Sequence, residues 1–158
     1  MRSQAGFTLA ELVTVMVLIG ILAVFAIPRM VSPDQFSARG TRDFVGAALR
    51  HAQKSAIAMR RNVCVGIAAT QLTMTYAAAP GANQPCSAGE LANPGNGRAY
   101  SDPSNALQAA IAPAATLVFD AQGRPLSAPS TPRTTALTLT VTGHASPLTI
   151  EPETGVVR

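Results

Sequence analysis

Between Phe7 and Ile27 the chain carries a single ionisable side chain, Glu11, within an otherwise apolar run. A carboxylate surrounded by hydrocarbon costs roughly 2.5–3.5 kcal/mol on insertion scales, so such a residue marks a function and calls for a cationic partner. The nearest bases are Arg2 upstream and Arg29 downstream, neither within reach of Glu11 on one helix. Hydrolysis of the peptide bond just before Phe7 would create a new ammonium and supply the missing charge. Other residue types that carry chemistry do not gather. His51 falls among helix formers and His144 in a turn, with no acid or cysteine cluster to complete a metal site. Asp102, Asp120, Glu151 and Glu153 are scattered in the manner of surface acids. The sequence contains neither a phosphate-cradling glycine loop nor a nucleophile-elbow serine. No enzyme, metal or cofactor is therefore expected.

A helix of about twenty residues rises ~30 Å, the thickness of a bilayer's hydrocarbon core, so the apolar run is long enough to span a membrane. A cleavable secretory signal is the common alternative at an N-terminus, and Val24-Phe25-Ala26 offers it a loose small-residue site. Against a signal stand the single leader base Arg2, an apolar stretch longer than a signal core, and Glu11 itself. Gly20 falls within this run and Pro28 immediately follows it. Glycine weakens a helix interior by about 1 kcal/mol and proline by about 3 kcal/mol, so the stretch they bracket is able to unwind locally.

Composition bounds the remainder. Apolar residues make up 47% of 158 and aromatics 4%, with no tryptophan, which suits one modest domain with a small aliphatic core in addition to the anchor. The net charge of +4 is unevenly spread. Within residues 39–61, Arg39, Arg42, Arg50, Lys54, Arg60 and Arg61 face only Asp43, so the basicity belongs to one helix and reads as a solvated face rather than a nucleic-acid surface.

Ser32-Pro33-Asp34-Gln35 has the form of a helix start, with an N-cap serine, proline at the first helical position and glutamine at the third. The helix is thus expected to begin again after Pro28. Val45, Ala48, Leu49, Ala52, Ala56 and Met59 recur on one face, with Arg39, Asp43, Arg50, Lys54 and Arg61 opposite and Ile57 out of pattern. Such a stripe of small apolar residues should dock on a sheet. Strands are expected over 62–68, 71–77, 115–120, 136–142, 148–151 and 156–157, with turns at Gln122-Gly123-Arg124-Pro125, Gly143-His144 and Glu153-Thr154-Gly155. Alternation sets Leu137, Leu139 and Val141 on one face of a half-buried antiparallel strand, with threonines on the other. Residues 78–113 are rich in Gly, Pro, Asn and Ala without periodicity, and read as a long surface loop with a turn of helix near 104–110.

The stretch Gly6-Phe7-Thr8-Leu9-Ala10-Glu11-Leu12 resembles the processing site of type IV pilins and type II secretion pseudopilins. Ala10 stands where a larger aliphatic residue is usual. The resemblance implies that a prepilin peptidase cuts between Gly6 and Phe7 and methylates the new N-terminal phenylalanine, while the apolar helix is retained. Glu11 then becomes the fifth mature residue, pairing with the terminal amine of a neighbouring subunit, and Gly20 and Pro28 match the positions between which assembled pilin helices unwind. The implied layout is a leader at 1–6, a transmembrane and assembly helix at 7–31, and a periplasmic α+β domain at 32–158. Implied partners are other pilin subunits, the peptidase and the bacterial inner membrane, then the filament.

Phe44 to Ile67 resembles the helix-to-first-strand junction of the GspH/FimT family of minor pilins and pseudopilins, and of minor pilins of the MSHA system; the late LTIEPETGVVR resembles that family's closing strand and turn. These likenesses imply a long hydrophobic spine helix whose C-terminal half packs on an antiparallel sheet or a two-sheet domain, in a subunit present in few copies per filament. Some FimT-type proteins bind DNA through C-terminal bases. Here that region offers only Arg124, Arg133 and Arg158 among acids, so DNA is the disfavoured partner. A second alternative is an anchored or exported β-domain with no filament. The two cysteines, Cys64 on an expected strand and Cys86 in the long loop, would lie outside the cytoplasmic membrane, where a disulfide can form.

Overall fold

A computed structural model describes residues 6–30, 33–81, 84–128 and 130–158. The chain divides into two compact units, Met1–Pro33 and Asp34–Arg158.

The first unit holds helix α1 (Leu9–Met30). Its backbone stays helical through Gly20 and Pro28, so the unwinding expected between them is not a feature of the single subunit. Leu9, Leu12, Val13 and Met16 on one side and Val17, Leu18 and Ile21 on the other are all exposed, so the helix presents apolar residues around its circumference. Side chains of α1 are described over 9–23, fifteen residues that rise only ~22 Å. Among the described residues no helix is long and apolar enough to cross a membrane, and the spanning helix expected over 7–31 is not shown by them.

The second unit is α+β. Helix α2 (Pro33–Met59) opens on the expected proline with Asp34 in its first turn; the expected N-cap, Ser32, lies outside the described residues. Its C-terminus closes with Arg61 N–H donating to Ala56 O at 3.2 Å and Arg60 N–H to Ile57 O at 3.3 Å. That pairing needs a left-handed residue, supplied by Arg60 at φ 51° where glycine is usual. The buried stripe is the one expected from periodicity, lengthened by Ala38, Thr41 and Gly46, with Met59 only half-buried.

Among the described residues nine strands follow: β1 (Val63–Ile67), β2 (Leu72–Tyr76), β3 (Gly89–Glu90), β4 (Ile111–Ala112), β5 (Ala115–Phe119), β6 (Pro125–Ala128), β7 (Thr131–Pro132), β8 (Leu137–Val141) and β9 (Leu148–Ile150). They form two antiparallel sheets, one ordered β3-β2-β1-β5-β6-β7 and one ordered β4-β8-β9, the last extended by a bridge from Ile150 to Val157. Alternation decides which side chains turn inward. Val63, Val65 and Ile67 are buried, as are Leu137, Leu139 and Val141, while Thr138 and Thr140 face solvent. Gly66 sits opposite Thr73 across β1 and β2, and any β-carbon there would collide with the threonine hydroxyl.

Three expectations are corrected. The described residues of 78–113 stay largely exposed, and the expected turn of helix is present as a 3-10 turn at Pro103–Asn105, but the segment is not without strands or core residues: β3 and β4 interrupt it, and Tyr100, Leu107 and Ile111 enter the core. The segment is ordered by backbone bonds onto the β1–β2 turn, Leu107 N–H to Thr70 O and Ile111 N–H to Ala69 O, both at 2.8 Å. Pro125, expected in a turn, opens β6. Asp120, expected at the surface, is buried because its carboxylate takes up the local donors of its own turn.

Cys64 and Cys86 form a disulfide, with Sγ–Sγ 2.02 Å and Cα–Cα 6.0 Å, that ties the segment before β3 to β1. The α2 side chains also reach out to tie down turns. Gln53 Nε2 donates to Gly123 O and to Thr154 O, each at 2.9 Å, joining the β5–β6 turn to the C-terminal turn. Arg42 and Arg50, expected to be solvated, donate to Ser146 O and Val157 O at 3.1 Å.

Removing both Gln53 bonds in Gln53→Ala should lower domain stability by about 1–3 kcal/mol, read from denaturant unfolding. The bridge closes a loop with a sequence separation of 22. Reduction should cost about 3 kcal/mol on the chain-entropy model, and thiol titration of the denatured chain should find no thiol before reductant and two after.

Candidate functional site

Gly6, Phe7 and Thr8 are not helical, and α1 begins immediately after them. Thr8 sets this boundary. Its carbonyl accepts Leu12 N–H at 3.2 Å and its Oγ1 accepts Glu11 N–H at 3.3 Å, so Thr8 is the N-cap and Glu11 the third helical residue. The order Thr8-Leu9-Ala10-Glu11 is that of a capping box, a signal present in the sequence and not used to place the helix start.

This geometry has two chemical consequences. The Gly6–Phe7 peptide bond lies in non-helical backbone ahead of the cap, with Phe7 82% exposed, so a hydrolase can approach it without unwinding a turn. Glu11 stands in the first turn, where the unsatisfied amides of a helix N-terminus favour negative charge by roughly 0.3–1 kcal/mol. Among the described residues the Glu11 carboxylate has neither a hydrogen bond nor an ion pair, and the side chain is exposed. It is available to a cation from elsewhere. A β-carbon added at Gly20 would meet no atom within 4 Å, so among the described residues no contact demands a glycine there. The side chain of Pro28 lies outside the described residues.

Residues 1–27 match the family model for the prokaryotic N-terminal methylation motif. The motif indicates a type IV pilin-like N-terminus processed by prepilin peptidase, and with it a membrane-anchored or pilus location. No curated protein and no solved structure matches the chain.

The three C-terminal arginines lie in different settings. Asp120 Oδ2 receives Arg124 Nε at 2.9 Å and Nη2 at 2.8 Å, while Asp120 Oδ1 accepts Gln122 N–H and Arg124 N–H. Arg158 lies 3.8 Å from Glu151. Arg133 shares a cavity of about 390 Å³ with Arg124, Thr134 and Glu153. Among the described residues no group of three or more His, Cys, Asp or Glu is placed to hold a metal.

His51, isolated in the sequence, is not isolated in space. Its Nδ1 lies 3.2 Å from Tyr100 Oη, and Tyr100 also stacks at a tilt on Phe44 with centroids 6.1 Å apart. Burial lowers the His51 pKa from its ordinary 6.5. The folded chain therefore binds fewer protons at this ring than the unfolded chain does below that value. Stability is complete above about pH 6.5 and is lost as the pH falls towards the folded value. The thermal midpoint should accordingly fall between about pH 7 and pH 5, and His51→Gln, which keeps a polar partner for Tyr100, should flatten that fall. An unchanged slope in the variant would assign it to other groups.

Proposed function

We propose that the chain is a minor pilin or pseudopilin subunit of GspH/FimT type, matured by prepilin peptidase and assembled into a type IV pilus or a type II secretion pseudopilus. The observation that carries this is the match of residues 1–27 to the N-terminal methylation motif. The α+β domain supports it: α2 runs into β1 over the segment that resembles the GspH/FimT junction, and β9 with the Val157 bridge occupies the segment that resembles the family's closing strand.

In this mechanism water adds across the Gly6–Phe7 amide, leaving a carboxylate on the released leader and an ammonium on Phe7, and methylation of that amine preserves its positive charge. The helix over 7–31 holds the subunit in the bacterial inner membrane with the domain from residue 32 onward in the periplasm. Extraction then exchanges lipid contacts for contacts with other subunits' helices. Lipid tails are as apolar as leucine, so apolar burial changes little in that exchange and polar contacts decide it. Glu11 meeting the ammonium of a neighbour is such a contact. The flexibility needed at Gly20 and Pro28 belongs to the assembled state. Pairing of Arg124 with Asp120 and of Arg158 with Glu151 lowers the net positive charge on which a DNA-binding reading would draw.

Peptide mass spectrometry of the native chain should find an N-terminus at Phe7 carrying one additional methyl group; a chain starting at Met1, or beyond Ala26, would overturn the assignment. Glu11→Ala should insert in the membrane and be cleaved normally, yet lose most of its incorporation into filaments. Undiminished incorporation would remove the pairing role while leaving the processing assignment intact.

A further inference from the structure

Arg124 and Arg133, together with Arg60, line a groove that the filament mechanism does not use. Two cavities form it, one of about 390 Å³ bearing Arg124, Arg133, Thr134 and Glu153, and one of about 430 Å³ bearing Arg60, Pro80 and Leu126. Arg124 and Pro132 line both, so the cavities are adjacent.

The guanidiniums of this groove are prepared in different ways. Asp120 fixes Arg124 through Nε and Nη2, and among the described residues Nη1 keeps no partner. The Asp120 carboxylate is itself saturated by that guanidinium and two backbone amides, and is 4% exposed. Arg124 is thus held in one orientation before any ligand arrives, which removes an entropic cost of binding. Arg133 is anchored by its backbone N–H on Pro125 O at 3.1 Å, and its Nε is a buried nitrogen with no hydrogen-bond partner among the described residues. A buried donor without an acceptor is costly, and doubly so on a charged group. Arg60 holds a left-handed backbone at φ 51°, the position at which helices ordinarily end in glycine. Retaining a side chain there, on a residue that lines the second cavity, comes at the expense of stability.

We propose that this groove binds an extended acidic peptide segment of a partner protein, its carboxylate bridging Arg124 and Arg133. Planar guanidiniums pair carboxylates through parallel N–H donors; Arg124 keeps Nη1 for such a partner, and Arg133 lines the same cavity. The remainder of the lining separates a peptide from a nucleic acid. Glu153 lies within the groove and Asp120 neutralises Arg124, so the field is mixed in sign, whereas a phosphate backbone requires several uncompensated cations. A peptide satisfies both signs: its carboxylate meets the arginines, its backbone N–H groups meet Glu153, and its small side chains lie against Pro132, Pro152 and Leu126. The groove lies within the second unit and does not depend on α1 or on filament assembly.

The test is fluorescence anisotropy with the full chain in detergent micelles and three labelled probes: a peptide alternating aspartate and alanine, its lysine counterpart, and an oligodeoxythymidylate of equal length. The acidic peptide should bind, the lysine peptide should not, and the oligonucleotide should bind more weakly than the acidic peptide at about 0.15 M salt. Arg133→Gln should weaken the acidic peptide at least tenfold, while Arg98→Gln, whose charge pairs with Asp102 outside the groove, should leave it unchanged. Arg60→Gly separates binding from folding because the two readouts move in opposite directions: the thermal midpoint rises as the left-handed residue is relieved, and the peptide weakens several-fold. No binding of the acidic peptide, equal affinity in Arg133→Gln, or tighter binding of the oligonucleotide would each overturn the proposal.

Discussion

The domain depends on how closely α2 can approach two sheets at once. Ala38, Ala48, Ala52 and Ala56 alternate with Val45 and Leu49 along the buried stripe, and Gly46 sits where an added β-carbon would be 3.4 Å from a Leu148 methyl. Small residues bring the helix backbone near the strands, so that Leu117 and Phe119 of one sheet and Leu139 and Leu148 of the other enter one cluster with it. With no tryptophan and few aromatics, a core of this kind gains its stability from density rather than from large side chains.

Close approach also brings polar side chains of α2 within reach of turns on both sides. Gln53 bridges the turns at Gly123 and Gly155, both of which hold positive φ, and a β-carbon at Gly155 would collide with Gln53 and with Gly123 O. Thr41 Oγ1 accepts Ala109 N–H at 3.0 Å from the segment before β4. The helix therefore acts as an apolar face towards the sheets and as a set of donors and acceptors towards the loops that close them. Its basic residues are partly structural for the same reason.

Much of this was legible in the sequence because it is periodic. The α2 stripe, the β1–β2 pair, and the alternation of β8 follow directly from spacing, and the short closing pairing at Val157 follows from a valine pair after a turn. The segment 78–113 was not legible, because Tyr100, Leu107 and Ile111 enter the core singly, without a period. Its order comes from amides: Asn93 and Asn96 both donate to Asn105 Oδ1, at 3.0 and 2.8 Å, and Asn105 Nδ2 donates to Ala99 O. Composition registers such asparagines as loop formers and cannot show that they bond one another. The pairing of Asp120 with Arg124 was hidden in the same way, since a buried turn carboxylate and a surface acid have the same one-letter code. The N-terminal motif was legible because its residues are local, with the proposed cleavage point, the cap and the acid all within six residues, Gly6 to Glu11.

That locality has a mechanistic consequence. Thr8 and Glu11 both lie on the C-terminal side of the Gly6–Phe7 bond, so under the proposed processing the hydroxyl that caps α1 would survive removal of the leader. Such a hydrolysis would not need to remodel the helix. It would add a full positive charge one residue before the cap, beside a helix end that already carries partial positive charge. Before cleavage the same end presents an exposed carboxylate without a cation on its own chain among the described residues. Under the proposed processing, each subunit would then carry both an ammonium and an acid on one helix end. Two such ends side by side could pair, which would turn a single proteolytic event into a requirement for registered neighbours. An aspartate would keep the charge but shorten its reach by one methylene, and a glutamate farther along α1 would lose both the dipole and the proximity, so the third helical position is where one residue can serve the isolated and the assembled helix alike.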